Sequence, residues 1–396
     1  MSDEQAHVFH SSLITHHSLL ITVYSSLFIM ATTKTKPRAP RKTPARATTR
    51  KSTAIARREP PKTLVTGGTG FLGAHLVRQL LEAGVTNVRV MATSIPLWLK
   101  ELGVETSEGS ITRVEDVERA VAGVGEIYHL AGRVSRELED ARKMYAVHVD
   151  GTRILCEAAR AAGVRSIVMA STSGTIAVRE NGEEMPDETS SPPLDIISRW
   201  PYYASKLYQE RVALERFSGD QVRLVILNPS LLLGPGDERL SSTKVVLDFL
   251  ARKINAIPSG GLSFVDVRDA AAAFRAAMKE GRHGERYLLG SANWTFEKFF
   301  SRLERLTKVR APRFSLPTRL AVTGSQVLSA LYRQWDKAPP VEASAVEMAE
   351  YFWYLDSSKA RQELGFAPRD SGETLLDTVK YIRQNFLGAD AFAGKW

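Results

Sequence analysis

The feature that most constrains this chain is a glycine-spaced turn set between an aliphatic strand and a leucine-rich helix, KTLVTGGTGFLG at 62–73. Residues 63–66 read as a short strand, and Leu72, Leu76, Leu80 and Leu81 then recur at helical spacing. Each glycine between them has a task. Gly67 permits the tight turn leaving the strand, Gly70 lets the backbone approach a pyrophosphate, and Gly73 lets the helix pack close to the sheet. Exposed N–H groups and the positive helix end then favour phosphate. A glycine triplet alone also fits a plain strand–turn–helix, so the weight falls on the residues C-terminal to it.

Those residues alternate between two patterns. Further strands are expected at 87–92, 104–108, 126–130 and 166–171, with helical patterns at 114–121 and 144–162. Such alternation implies parallel pairing and right-handed crossovers, hence an α/β, doubly wound parallel sheet of Rossmann type. Ligands bind beyond the carboxyl ends of the strands in such a sheet, where residues 67–73 and HLAG (129–132) both fall.

The candidate chemistry lies in WPYYASK (200–206), which opens a helix running to about Phe217. Tyr202 and Lys206 are four apart and share one face. A phenol with an ordinary pKa of about 10 is a poor acid near neutrality. A neighbouring ammonium favours the phenolate, so Tyr202 is expected to be lowered and to exchange a proton with a substrate oxygen. Tyr203 has no lysine four residues on and is assigned no chemistry. Thr172, just past the fifth strand, is placed to hydrogen-bond the same oxygen, with Ser171 and Ser173 as competing neighbours. A Tyr–Lys pair at this spacing also describes an ordinary helix surface. Its place after a fifth strand, downstream of the glycine turn, favours the chemical reading.

These residues together resemble the extended short-chain dehydrogenase/reductase family over roughly 63–390. The matching motifs are TGGTGFLG (66–73), HLAG (129–132), STSGT (171–175), YYASK (202–206), NPSLLLGPGD (228–237), FVDVRDAAAAF (264–274) and LDSSKARQELGFAPR (355–369). The nearest likeness is to the dihydroflavonol-4-reductase-like branch and to NAD-dependent epimerase/dehydratase proteins. The resemblance implies Thr172, Tyr202 and Lys206 as the catalytic set and NAD or NADP as cofactor. It also implies a cofactor lining of Gly67, Gly70, Phe71, Leu72, Gly73, Thr93, Leu130, Ala131, Gly132, Pro229 and Ser230, shared with Tyr202 and Lys206, with substrate shaped by residues after about 230. Three positions depart from the family pattern. The second strand ends Met91-Ala92-Thr93-Ser94, with neither an acid for a ribose diol nor an arginine for a 2′-phosphate, which leaves the dinucleotide open. Ser110 stands where the family commonly has Asp. His148 stands where it commonly has Asn, and reads as a hydrogen-bonded structural residue rather than a proton relay.

Composition bounds the remainder. The chain has 396 residues, 43% hydrophobic and 24% charged, enough for a sizeable core. Its single cysteine, Cys156, excludes an internal disulfide and a cysteine-based zinc site, so no metal is expected. That cysteine reads as a small buried hydrophobe, in keeping with a reducing, cytoplasmic compartment. The net charge of +9 is concentrated in residues 31–62, which carry eleven Lys or Arg against Glu59 and leave residues 63–396 near neutral. Residues 1–61 are expected to be a disordered basic extension, either a solvated linker or an arm for anionic partners. The apolar stretch 18–31 is too short to span a bilayer and lacks a basic flank, and Met30 is an expected true start.

Domain boundaries are expected at 62–235 for the dinucleotide domain and 236–396 for a small, mainly helical substrate-capping lobe, interleaved with the last elements of the Rossmann sheet. Helical patterns at 295–309, 317–335 and 341–350, broken by Pro312, Pro317, Pro339 and Pro340, supply that lobe. The helix at 317–335 fits core packing better than a membrane surface. Three functions are consistent with this reading. The first is an NAD(P)-dependent reductase or oxidoreductase of a small hydroxy or keto compound. The second is a nucleotide-sugar epimerase or dehydratase, which would keep NAD bound and consume no external hydride. The third is a cofactor-sensing binding protein with little catalysis. A homodimer fits each of them.

Overall fold

The computed structural model of the chain describes residues 61–219, 222–315, 323 and 343–388. The basic extension before Pro61, the apolar stretch at 18–31 with Met30, and the helix expected at 317–335 (apart from residue 323) lie outside them. Ten strands are described: β1 (Lys62–Thr66), β2 (Val88–Ala92), β3 (Glu105–Glu108), β4 (Val124–His129), β5 (Ser166–Ala170), β6 (Arg223–Pro229), β7 (Leu231–Leu233), β8 (Gly261–Asp266), β9 (Arg286–Leu289) and β10 (Ala292–Thr295). The first five lie within two residues of the expected positions. Seven form one sheet in the order β3-β2-β1-β4-β5-β6-β9, and every pairing in it is parallel. The order reverses between β1 and β4, so the crevice where crossovers diverge opens beyond Thr66 and His129.

Strand alternation builds a core on each face of this sheet. Leu64 points to one side, among Ile127, Ile167, Leu224 and Ile226, while Val65 points to the other, among Val90, Val168 and Val225. Helices cover both. On the Val65 side lie α1 (Phe71–Glu82), through Leu72, Leu76 and Leu80, and the short α2 (Leu97–Glu101), through Leu99. The later helix Val267–Glu280 joins them through Ala270, Phe274 and Ala277. On the Leu64 side lie α3 (Val114–Val121) and the long helical run that begins at Ala141. Each fully buried aliphatic side chain contributes roughly 1.5–3 kcal/mol. Cys156 sits in this second core, 3% exposed, and burial pushes its thiol up to about 12, which suits the small-hydrophobe reading.

Two local features were not in the sequence pattern. The helix expected at 144–162 runs from α4 (Ala141–Tyr145) into α5 (Gly151–Ala161) through a π-turn at Ala146–Asp150, which contains His148. The C-terminal region is helical, with helices Phe296–Thr307, Ala343–Met348, Ser358–Leu364 and Ser371–Phe386, but it also holds a small sheet ordered β10-β8-β7. Its three- to six-residue strands are too short to show a period of two. Among the described residues no helix is long and apolar enough to cross a membrane.

Candidate active site

The glycine turn is built by close backbone approach. Gly67 has φ +72°, and a Cβ there would lie 2.7 Å from Ala131 N and from the Leu130 carbonyl. The turn leaving β1 therefore lies against the HLAG segment leaving β4, and Ala131 N–H donates to Thr66 Oγ1 at 3.2 Å. At Gly73 a Cβ would run into the Gly67 carbonyl and come within 2.8 Å of Gly68 Cα. Gly70 caps α1 without any side-chain hydrogen bond, which leaves the first N–H groups of that helix facing the crevice. At the end of β6, Ser230 Oγ is buried and has no protein partner. A backbone cradle closed to any side chain, and an unpaired hydroxyl past β6 on the same carboxyl edge of the sheet, are what an extended dinucleotide needs, so these residues fit one. Thr93 and Ser94, past the end of β2, are exposed, and Gly132 is exposed too.

Tyr202 and Lys206 lie in the helix Pro201–Arg216, which Pro201 starts at its first position. The Thr172 side chain lies near enough to the Tyr202 phenol to act on its titration, and its Oγ1 accepts from Gly174 N at 3.4 Å. Lys206 is 4% exposed, and its Nζ donates to Ala170 O at 2.6 Å and Gln209 Oε1 at 2.5 Å. Burial lowers the ammonium to about 7, against an opposing pull from Glu210. The expected lysine-lowered phenol is not what is found. Burial raises Tyr202 above its usual value, neighbouring Tyr203 adds to the rise, and only the nearby Thr172 side chain opposes them. The reason is directional: the ammonium is held toward the end of β5 and Gln209 rather than toward the phenol.

Ser171 and Ser173, the competing hydroxyls, are buried. Ser171 donates to Glu210 Oε1, which also accepts from Thr175 Oγ1 at 2.9 Å and Asn228 Nδ2 at 2.8 Å, while Glu210 Oε2 takes Arg286 Nε at 2.7 Å. Asn228 donates as well to Thr172 O at 3.1 Å, so this fully buried carboxylate network fixes the backbone that carries Thr172. Glu210, Asn228, Gln209, Thr152 and His129 were not singled out as site residues. Glu210 had a usable signal, an acid four residues after Lys206 on the same helix face, whereas the others are joined only in three dimensions.

His148 proves structural. Its Nε2 accepts from Arg133 N at 3.0 Å, so Nδ1 must carry the proton given to Ser205 Oγ at 2.8 Å, which in turn donates to Tyr202 O at 2.9 Å. Burial and Lys206 lower its pKa to about 2, so it stays neutral. The π-turn thus braces the first turn of the Tyr202 helix. Tyr203 packs on Trp353 with ring centroids 4.8 Å apart, Trp353 on Trp200 at 5.6 Å, and Tyr203 on Tyr202 at 5.0 Å. An aromatic cluster therefore adjoins the phenol, reached from residues near 350 that the sequence placed far away.

A doubly wound sheet with a dinucleotide cradle at its switch point and a Tyr–Lys helix beside it defines a class, the nicotinamide-dinucleotide enzymes. The profile of the NAD dependent epimerase/dehydratase family matches residues 63–290, and the chain belongs to that family. It is 32% identical to a putative dihydroflavonol 4-reductase of Synechocystis sp., over 81% of this chain and 94% of that protein. It is 34% identical to the sterol demethylase protein B of Methylococcus capsulatus, over 81% of this chain and 98% of the relative. Among solved structures it is similar to that of gox2253, at 29% identity and a TM-score of 0.71, covering 83% of this chain and 99% of that one. The protein is accordingly an enzyme of the extended short-chain dehydrogenase/reductase group, with NAD or NADP as its cofactor.

Proposed function

We propose that the chain is an NAD(P)-dependent reductase of a small, flat, largely apolar carbonyl compound, with Tyr202 as the proton donor. The observation that carries this reading is the buried Lys206 held at the carboxyl end of β5, one helical turn from Tyr202 and on the same edge of the sheet as the glycine turn, with Thr172 just past that strand. A bound nicotinamide supplies the hydride. Thr172 holds the carbonyl oxygen, and Tyr202 gives that oxygen its proton as negative charge develops on it. A phenol raised by burial is protonated at neutral pH, which suits donation and hence the direction of reduction. The partly buried Tyr203 and Trp353, backed by the buried Trp200, support a planar partner, since aromatic surface offers packing area with few polar requirements. Gly67, Gly70, Phe71, Leu72, Gly73, Thr93, Leu130, Ala131, Gly132, Pro229 and Ser230 would line the dinucleotide. The names of the relatives above, a reductase and a sterol-processing protein, favour the same substrate chemistry over a nucleotide sugar. A cytoplasmic setting belongs to this reading.

The test is mass spectrometry of the dinucleotide that co-purifies, followed by a screen of aromatic and polycyclic ketones with it. Tyr202→Phe should lower kcat by about 10²–10⁴-fold with dinucleotide affinity retained. Unchanged turnover in that variant removes the assignment. Tightly held NAD with no external hydride consumed would point instead to an epimerase or dehydratase.

A further inference from the structure

The lysine that serves this chemistry is gripped by a neutral amide rather than left to the solvent. Gln209 is fully buried, three residues after Lys206 on the same helix, and its Oε1 lies 2.5 Å from Lys206 Nζ. The amide cannot be turned over, because its NH2 would then face an ammonium that has only protons to offer. With the oxygen so placed, Nε2 donates to Thr152 Oγ1 at 2.9 Å and sits 3.3 Å from His129 Nε2. Beyond it, His129 Nε2 is 2.9 Å from Thr152 Oγ1 and His129 Nδ1 is 2.8 Å from Thr66 Oγ1. Thr66 is the last residue of β1, at the mouth of the glycine turn, and its hydroxyl accepts from Ala131 N–H of the HLAG segment. A continuous buried chain thus runs from the lysine to both loops of the dinucleotide cradle.

We propose that Gln209 is a positioning residue of the reaction, holding the Lys206 ammonium in one direction through an amide that Thr152, His129 and Thr66 lock from the cradle side. This rests on the reductase reading for its activity readout, though not for its geometry. The choice of a neutral acceptor has a consequence. The titratable groups that act on Lys206 or feel it are Glu210 on its own helix, His129 on β4 and His148 in the π-turn. Both histidines are held neutral by burial, with Lys206 itself lowering them further, so Glu210 is the one group among these that favours the charged lysine. A carboxylate at 209 would orient the ammonium equally well but add a second favourable charge at contact distance, and Lys206 would stay charged well above neutrality. Gln209 orients the ammonium without doing so, and Lys206 is left near 7.

The experiment compares wild type with Gln209→Glu and Gln209→Met in two readouts. One is the titration of the Lys206 ε-methylene signal in protein labelled with 13C-lysine, assigned by its loss in Lys206→Met. The other is kcat and KM against pH. Gln209→Glu is expected to raise the Lys206 titration by about one unit or more and to move the kcat profile with it. Gln209→Met should lower kcat roughly tenfold to a hundredfold at neutral pH with KM for the carbonyl little changed, since a displaced group costs rate more than binding. If Gln209→Met does not fold, Thr152→Val, which removes the amide's anchor and keeps the amide, should lower kcat in the same pH-dependent way. A Lys206 titration that stays at its wild-type position in folded Gln209→Glu overturns the proposal, as does a kcat profile indifferent to all three changes. A shifted lysine titration in a protein that reduces no carbonyl supports the positioning role and counts against the reductase reading alone.

Discussion

At the scale of single residues, the site is a set of buried polar groups whose cost is met by mutual hydrogen bonds. His129 and His148 show it most clearly. Each is at most 1% exposed, and burial pushes them down to about 3 and about 2, against an ordinary value of 6.5. A base with a depressed folded pKa binds fewer protons folded than unfolded at any pH between the two values. Their contribution to stability is therefore complete above about 6.5 and is lost progressively as the pH falls toward 3. Denaturant melts at pH 7.5, 6 and 5 should show midpoints falling in that order, and a midpoint that stays level from 7.5 to 5 would mean that the rings are protonated in the folded protein. The phenol and the ammonium follow the same physics, which is why Tyr202 is raised and Lys206 lowered rather than each correcting the other.

At the scale of elements, the decisive unit is β1, the turn and α1. The leucine spacing that predicts α1 is the spacing that buries Leu72, Leu76 and Leu80 against the sheet. What brings the helix close enough is the absence of a side chain at Gly73, whose place is taken by the Gly67 carbonyl. Gly73→Ala should cost about 1–3 kcal/mol by overpacking and weaken dinucleotide binding in parallel. Both are measurable, by chemical denaturation and by titration with NAD and NADP, and wild-type values in both would show the approach to have slack. The π-turn at Ala146–Asp150 belongs to this scale too. A single extra residue in one turn leaves the surrounding apolar period almost intact, so the pattern at 144–162 reads as one uninterrupted helix. The turn nevertheless decides where His148 points, and through Ser205 it braces the backbone of Tyr202.

At the scale of the whole molecule, the last helix is tied back to the end of β8 by ions. Asp266, fully buried, caps the helix Val267–Glu280 through Arg268 N and takes Arg268 NH2 at 2.7 Å; the same guanidinium reaches Asp377 of the last helix at 2.9 Å. Arg369 joins Asp269 at 2.8 Å and approaches Asp266 at 3.5 Å. The arrangement holds Ser371–Phe386 against the end of β8 and the start of the helix after it. Asp266→Ala should cost about 3 kcal/mol, near the lower end for breaking a buried pair because both arginines keep a second acid. Asp377→Ala, at a half-buried position, should cost under about 1 kcal/mol. Urea unfolding of the two variants side by side decides it, and equal losses would show that the buried aspartate has no special weight.

What the linear sequence determined here is local and periodic: the glycine turn, the alternation of strand and helix, and Tyr202 and Lys206 one turn apart on a single helix. These arise from backbone geometry within about thirty residues, which holds whatever the rest of the molecule does. The second small sheet, the Glu210 and Gln209 networks, the direction of the Lys206 ammonium and the aromatic cluster with Trp353 were decided only by the tertiary structure. Each depends on polar or aromatic groups brought together from separate strand ends, and burial, a property of the folded whole, then sets whether such a group carries its proton.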